Sequence, residues 1–122
     1  MALCFEVEEL SQQWEPPFKK DKTVKEYCVK EGEKFDCVSE KDKEALFTVI
    51  KATPDRALIQ YNRLFTLKNW EQPQNRQVWI ENGASVQFSH LWGNNGTTKR
   101  VFYRGIGAEG EIKKAETSAS AE

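Results

Sequence analysis

The stretch RQVWIENGASVQFSHLWGNNGTTKRVFYR, residues 76–104, decides the fold class. Val78 and Ile80 alternate with Trp79. After Asn82-Gly83, the residues Val86, Phe88, His90 and Trp92 alternate with Ser85, Gln87, Ser89 and Leu91. After Gly93-Asn94-Asn95-Gly96, Val101 and Tyr103 alternate with Arg100, Phe102 and Arg104. Period two with turn punctuation is the strand pattern, because successive side chains of a strand point to opposite faces. Asn-Gly is the pair that a two-residue hairpin turn demands, since both central residues then take positive φ. Residues 76–104 therefore predict a three-stranded antiparallel meander.

The same signature extends outward. Residues 45–53 are rich in β-branched and aromatic types, and Thr53-Pro54-Asp55-Arg56 supplies a turn with proline preset at its first corner. Residues 57–68 form a second apolar run, long enough to bend near Asn62-Arg63. Leu3, Phe5 and Val7 alternate with Cys4, Glu6 and Glu8, while Val24–Lys30 and Lys34–Ser39 flank Glu31-Gly32-Glu33 as a further hairpin. Residues 39–46 read as one helical turn or a charged loop. Residues 11–22 contain Pro16-Pro17 and read as a loop pinned by Trp14 and Phe18. Beyond Gly107 the chain is rich in Glu, Lys, Ala and Ser, the composition of a disordered tail. The reading is an all-β, small single-domain antiparallel barrel or sandwich of about seven to eight strands over residues 1–107, followed by a disordered C-terminal tail at 108–122. A chain of 122 residues leaves room for one such domain, with a core large enough to need neither disulfide nor metal.

The net charge of −1 conceals a segregation. Residues 1–50 hold 8 Lys and 12 acidic residues (−4), residues 51–105 hold 8 basic and 3 acidic residues (+5), and residues 106–122 hold 2 and 4 (−2). Every arginine (Arg56, Arg63, Arg76, Arg100, Arg104) and three of the four tryptophans (Trp70, Trp79, Trp92) fall in the middle segment. A guanidinium fork and a large flat ring bind with little loss of entropy, so this segment is the expected contact surface.

Several chemistries find little footing. Cys4, Cys28 and Cys37 lack the dense spacing of a disulfide scaffold, and Glu6 interrupts the apolar start of the chain. Reduced thiols and a cytoplasmic location are expected, with Cys28–Cys37 as the alternative pairing. Nothing approaches the roughly 18 apolar residues of a membrane span, so no membrane partner is expected. His90 is the one histidine, and its alternation with Val86 and Phe88 turns it toward an apolar face. The cysteines and His90 are zinc-ligand types without a close ligand pair, and no metal or cofactor is expected. Glu71 and Glu81 stand isolated, and Gly93–Lys99 reads as a hairpin turn because it lacks phosphate-loop spacing. With no nucleophile motif, the balance leans away from an enzyme without deciding it.

The expected function is a non-enzymatic intracellular binding module that recognises a protein partner, a second copy of itself included, through an Arg/Trp-bearing sheet. Its candidate residues are Trp70, Arg76, Trp79, Lys99, Arg100, Phe102 and Arg104, with Arg76, Trp79 and Phe102 on one outer face. Trp70, in a polar loop, reads as an exposed anchor or as a plug closing one end. The first alternative is binding to single-stranded nucleic acid, because Lys99-Arg100-Val101-Phe102-Tyr103-Arg104 interleaves cations with rings. The second is a small-ligand or carbohydrate pocket near His90 and Trp92.

Overall fold

A computed structural model of the chain describes residues 2–16, 18–38, 43–67, 75–92 and 95–107. They hold the strands β1 (Ala2–Gln13), β2 (Lys19–Val29), β3 (Lys34–Cys37), β4 (Ala45–Ala52), β5 (Arg56–Tyr61), β6 (Thr66–Leu67), β7 (Gln77–Glu81), β8 (Ser85–Trp92) and β9 (Asn95–Gly107). All pair antiparallel in two separate sheets, a five-stranded one in the order β2-β1-β9-β8-β6 and a four-stranded one in the order β3-β4-β5-β7. The architecture is a sandwich and not a closed barrel. The run at 57–68 divides at its bend into β5 and β6, which brings the strand number to nine among the described residues. Pairing of β1 with β2 continues to Gln13 opposite Lys19, so the irregular segment is shorter than the expected 11–22. The tail at 108–122, residues 39–42 and the loop 68–74 with Trp70 lie outside the described residues.

Two turns do not make the expected hairpins. Residues 76–104 contain three strands, but β7 pairs with β5 while β8 pairs with β9, so the meander is split between the sheets. The reason lies at Asn82-Gly83. The type I′ hairpin that Asn-Gly favours needs positive φ at both positions, and only Gly83 has it, at 88°. Asn82 instead donates its backbone N–H to the Asp55 carbonyl (2.8 Å) and its amide to the Pro54 carbonyl (3.0 Å), while the Gly83 N–H reaches the Tyr103 carbonyl (2.8 Å). The pair is a corner that carries the chain from one sheet to the other. Gly105 completes this corner. It lies with Arg104 in a bulge opposite Cys4, at φ 87°, and a Cβ there would sit 2.8 Å from Asn82 Nδ2. The second turn, Glu31-Gly32-Glu33, likewise links β2 of one sheet to β3 of the other.

The core lies between the sheets. From the five-stranded sheet come Phe5, Val7, Tyr27, Phe88, Val101 and Tyr103; from the four-stranded sheet come Phe35, Phe47, Val49, Ile59, Tyr61 and Ile80, all buried. Phe35 stacks on Phe5 with ring centroids 4.6 Å apart and touches Phe47 at 5.2 Å; Phe88 meets Phe47 at 5.1 Å and Tyr61 at 5.0 Å. Ring pairs of this kind add about 0.5–1.5 kcal/mol each beyond the area they bury. At the corner end, the Tyr103 hydroxyl donates to the Thr53 carbonyl at 2.7 Å, tying β9 to the β4–β5 turn.

The thiols are not all reduced. Cys4 and Cys28 stand directly opposite in the β1–β2 register, with Cα atoms 4.1 Å apart, and form a disulfide; Cys37 is free. A separation of 24 residues conceals this pairing, because the register depends on where the intervening loop turns. Closing a loop of that length stabilises the fold by about 3 kcal/mol. Urea unfolding with and without a dithiol reductant is expected to show a loss of that order, and an unchanged midpoint would assign the bridge no stabilising role.

Candidate functional site

Lys99 points inward. It shares the parity of Val101 and Tyr103 on β9, and it is 1% exposed. Its ammonium meets Asp36 Oδ2 at 2.9 Å, Glu9 Oε1 at 3.2 Å and the Cys37 carbonyl at 3.2 Å. The other Asp36 oxygen accepts from the Tyr27 hydroxyl at 2.8 Å. Asp36 reaches this position from a left-handed backbone, φ 64°, which turns its carboxylate into the sandwich. Each ammonium proton has an acceptor, so Lys99 is a structural cation and not the surface phosphate contact expected of it.

Arg100, Phe102 and Arg104 project from the outer face of the five-stranded sheet. Arg104 pairs with Glu6 at 3.0 Å and lies over Phe102 at 4.8 Å; Arg100 donates to Gln87 at 3.4 Å and stands opposite Glu8 in register. Glu26 lies beside Glu6 in the same row. Lys22 and Lys20, opposite Leu10 and Gln12, lie on the same face, so three carboxylates are interspersed among four cations, a mixed surface and not an uninterrupted basic stripe.

Trp79 lies on the opposite side of the molecule, on the outer face of the four-stranded sheet. It pairs across from Leu58, and Arg56 stacks on it with the guanidinium carbon 4.0 Å from the ring centroid. Arg76, Trp79 and Phe102 therefore do not share a face. Further along the four-stranded face is a cleft of about 330 Å³, lined by Lys34, Thr48, Gln60, Arg63 and Arg76 among others, with Glu44 as its carboxylate. Glu44 accepts from the Asn62 amide at 2.9 Å. Arg76 is held from several sides: its carbonyl accepts the Tyr61 N–H at 3.0 Å, its Nη1 donates to the Phe65 carbonyl at 3.0 Å, and its guanidinium lies 5.6 Å from the Tyr61 ring centroid. Its backbone is left-handed, φ 54°, a conformation that costs a non-glycine residue about 1–2 kcal/mol. The sequence hid this cleft because Lys34, Arg63 and Arg76 come from three separate segments. Arg56 was legible only as part of the arginine cluster.

His90 is half-buried on the inner side of β8, its ring 5.3 Å from that of Phe65, and it does not line the cleft. The side chain of Trp92 lies outside the described part, so the expected pocket near this pair has only His90 described. Two of the four zinc-ligand types, Cys4 and Cys28, are consumed in the disulfide, and the described residues hold no group of three or more potential ligands. No described helix is long and apolar enough to cross a membrane. Neither a protein-family model, nor a curated protein, nor a solved structure matches the chain. The site is accordingly read from its own chemistry.

Two outcomes are expected. Lys99→Met leaves the Asp36 carboxylate buried without its cation and lowers stability by about 3–5 kcal/mol in urea unfolding; a loss under about 1 kcal/mol would show that the pair is not sealed from water. The three tyrosines Tyr27, Tyr61 and Tyr103 are all buried, and burial pushes each phenol above its ordinary value of 10, with the Asp36 charge adding at Tyr27, the Asp55 charge adding at Tyr103 and Arg76 opposing at Tyr61. Above about pH 10 the unfolded chain releases phenolic protons that the folded chain keeps, so stability falls as pH rises. Tyrosinate absorbance should therefore appear together with loss of the strand signal in circular dichroism. A tyrosine half-ionised at or below pH 10 in the folded protein would contradict this.

Proposed function

We propose that the protein is a non-enzymatic binding module that docks an acidic protein partner on the outer face of its four-stranded sheet. The observation that carries this reading is the Arg56–Trp79 stack beside Leu58, continuous along one face with the cleft that holds Lys34, Arg63 and Arg76. A stacked Arg/Trp pair is the composition of an energetic anchor, and its rings and stems are ordered before the partner arrives, which lowers the entropic cost of association. The adjoining cations steer an acidic partner and set its orientation. The single-stranded nucleic-acid alternative has less support: Lys99 is buried, and Glu6, Glu8 and Glu26 interrupt the cations Arg100, Arg104, Lys20 and Lys22 on that face. The Cys4–Cys28 bridge favours an oxidising compartment over the cytoplasm inferred from cysteine spacing.

The test uses the oxidised full chain immobilised as wild type, Trp79→Ala, Arg56→Ala and Phe102→Ala, with and without nuclease. Proteins retained by the wild type should be lost about tenfold or more with either four-stranded-face variant. They should be kept by Phe102→Ala and indifferent to nuclease. Retention that vanishes with nuclease, or that survives both Trp79→Ala and Arg56→Ala, overturns the proposal.

A further inference from the structure

Several cations of the chain are engaged within the fold. Lys99 is enclosed by Asp36, Glu9 and a carbonyl, Arg104 pairs with Glu6, Arg100 donates to Gln87, and Arg56 lies on Trp79. The cleft on the four-stranded sheet gathers three others in one place. Lys34 reaches it from β3, Arg63 from the turn after β5, and Arg76 from the residue before β7. None of the three has an ion pair among the described residues, and Arg76 has only the Phe65 carbonyl as a side-chain acceptor there. The one lining carboxylate, Glu44, accepts from the Asn62 amide and keeps its charge, so Lys34, Arg63 and Arg76 leave the lining a net +2 (three positive, one negative). The floor adds a hydroxyl from Thr48 and an amide from Gln60.

From this convergence we infer that the cleft is a binding site for an oxyanion, a carboxylate or phosphate group. A guanidinium presents its donors in a planar fork that matches two oxygens of such a group, and Arg76 is held ready for it by its bond to Phe65, its carbonyl bond to Tyr61 and its place beside the Tyr61 ring. Lys34 supplies a more mobile charge on the opposite wall. Neighbouring strands lie about 4.8 Å apart, so β3 and β5 flank a span of roughly 10 Å across β4. The volume of about 330 Å³ accommodates a small anion with bound water or a single acidic side chain. The site would serve the docking reading if the oxyanion belongs to a partner, but it does not require it, because a free anion needs no protein to carry it.

The test is a calorimetric titration of the oxidised full chain with inorganic phosphate and, separately, with a hexaglutamate peptide at low ionic strength. Saturable binding is expected in the millimolar range, weakened by added salt. Arg63→Gln and Arg76→Gln should each weaken it about tenfold, and Arg100→Gln, on the other sheet, should leave it unchanged. Arg63 is exposed and makes no side-chain hydrogen bond among the described residues, so its variant keeps the test valid should Arg76→Gln unfold. Binding of phosphate identifies a free-anion site; binding of the peptide alone identifies a carboxylate carried on a chain. Saturation by neither probe, or equal weakening by Arg100→Gln, overturns the inference and leaves the Trp79 docking test untouched.

Discussion

The contact between Lys99 and Asp36, 2.9 Å long and sealed between the two sheets, sets how they lie on one another. Apolar side chains alone tolerate sliding, because a phenyl ring that leaves one neighbour finds another. A buried ammonium tolerates none: a shift that separates it from its carboxylate leaves both charges in a medium where each costs several kcal/mol. Asp36 lies on the four-residue β3, and Lys99 on the thirteen-residue β9. The pair thus fixes the short edge of one sheet against the long strands of the other. The left-handed backbone at Asp36 is sustained by this contact and by the Tyr27 hydroxyl.

A second lock acts at the other end of the sandwich. The Asn82-Gly83 corner, the Gly105 bulge and the Tyr103 hydroxyl on the Thr53 carbonyl bring β9 against the β4–β5 turn. Between these polar ends the aromatic cluster supplies cohesion without directional demands. The division is physically sensible. Hydrophobic burial contributes most of the free energy, and the few directional contacts decide which of several compact arrangements receives it.

Much of this was legible in residues 45–104, where alternation marked the strands and their inward faces. Lys99 itself was legible by parity, since it falls in step with Val101 and Tyr103; reading it as a surface cation gave side-chain type more weight than position. Asp36 carried no such signal, because its inward turn depends on a backbone conformation that a non-glycine residue seldom adopts. Asn82-Gly83 misled for a related reason. The dipeptide permits a hairpin, but long-range acceptors at Asp55, Pro54 and Tyr103 made a corner of it. Sheet membership is a tertiary property, and the local alternation that finds a strand is the same whichever sheet receives it. The disulfide and the cationic cleft were hidden by the same gap, since both join residues that only strand register brings together.

The two outer faces are consequently unequal. With Lys99 drawn inside and Arg104 neutralised by Glu6, the five-stranded face retains little of the +5 segment's charge. The edges repeat this asymmetry. The edge strand β2 carries Lys20, Lys22 and Lys25, the pattern by which proteins discourage strand addition. At the edge of the four-stranded sheet, β7 reads Gln-Val-Trp-Ile-Glu, without lysine or proline. Its Trp79 lies beside Arg56, which stands opposite Glu81 in register, so this face too carries both signs. On the other side Glu6, Glu8 and Glu26 stand among Arg100, Arg104, Lys20 and Lys22. What distinguishes the four-stranded side is the indole beneath its guanidinium and the three cations gathered in one cleft, and the proposed docking would draw on both.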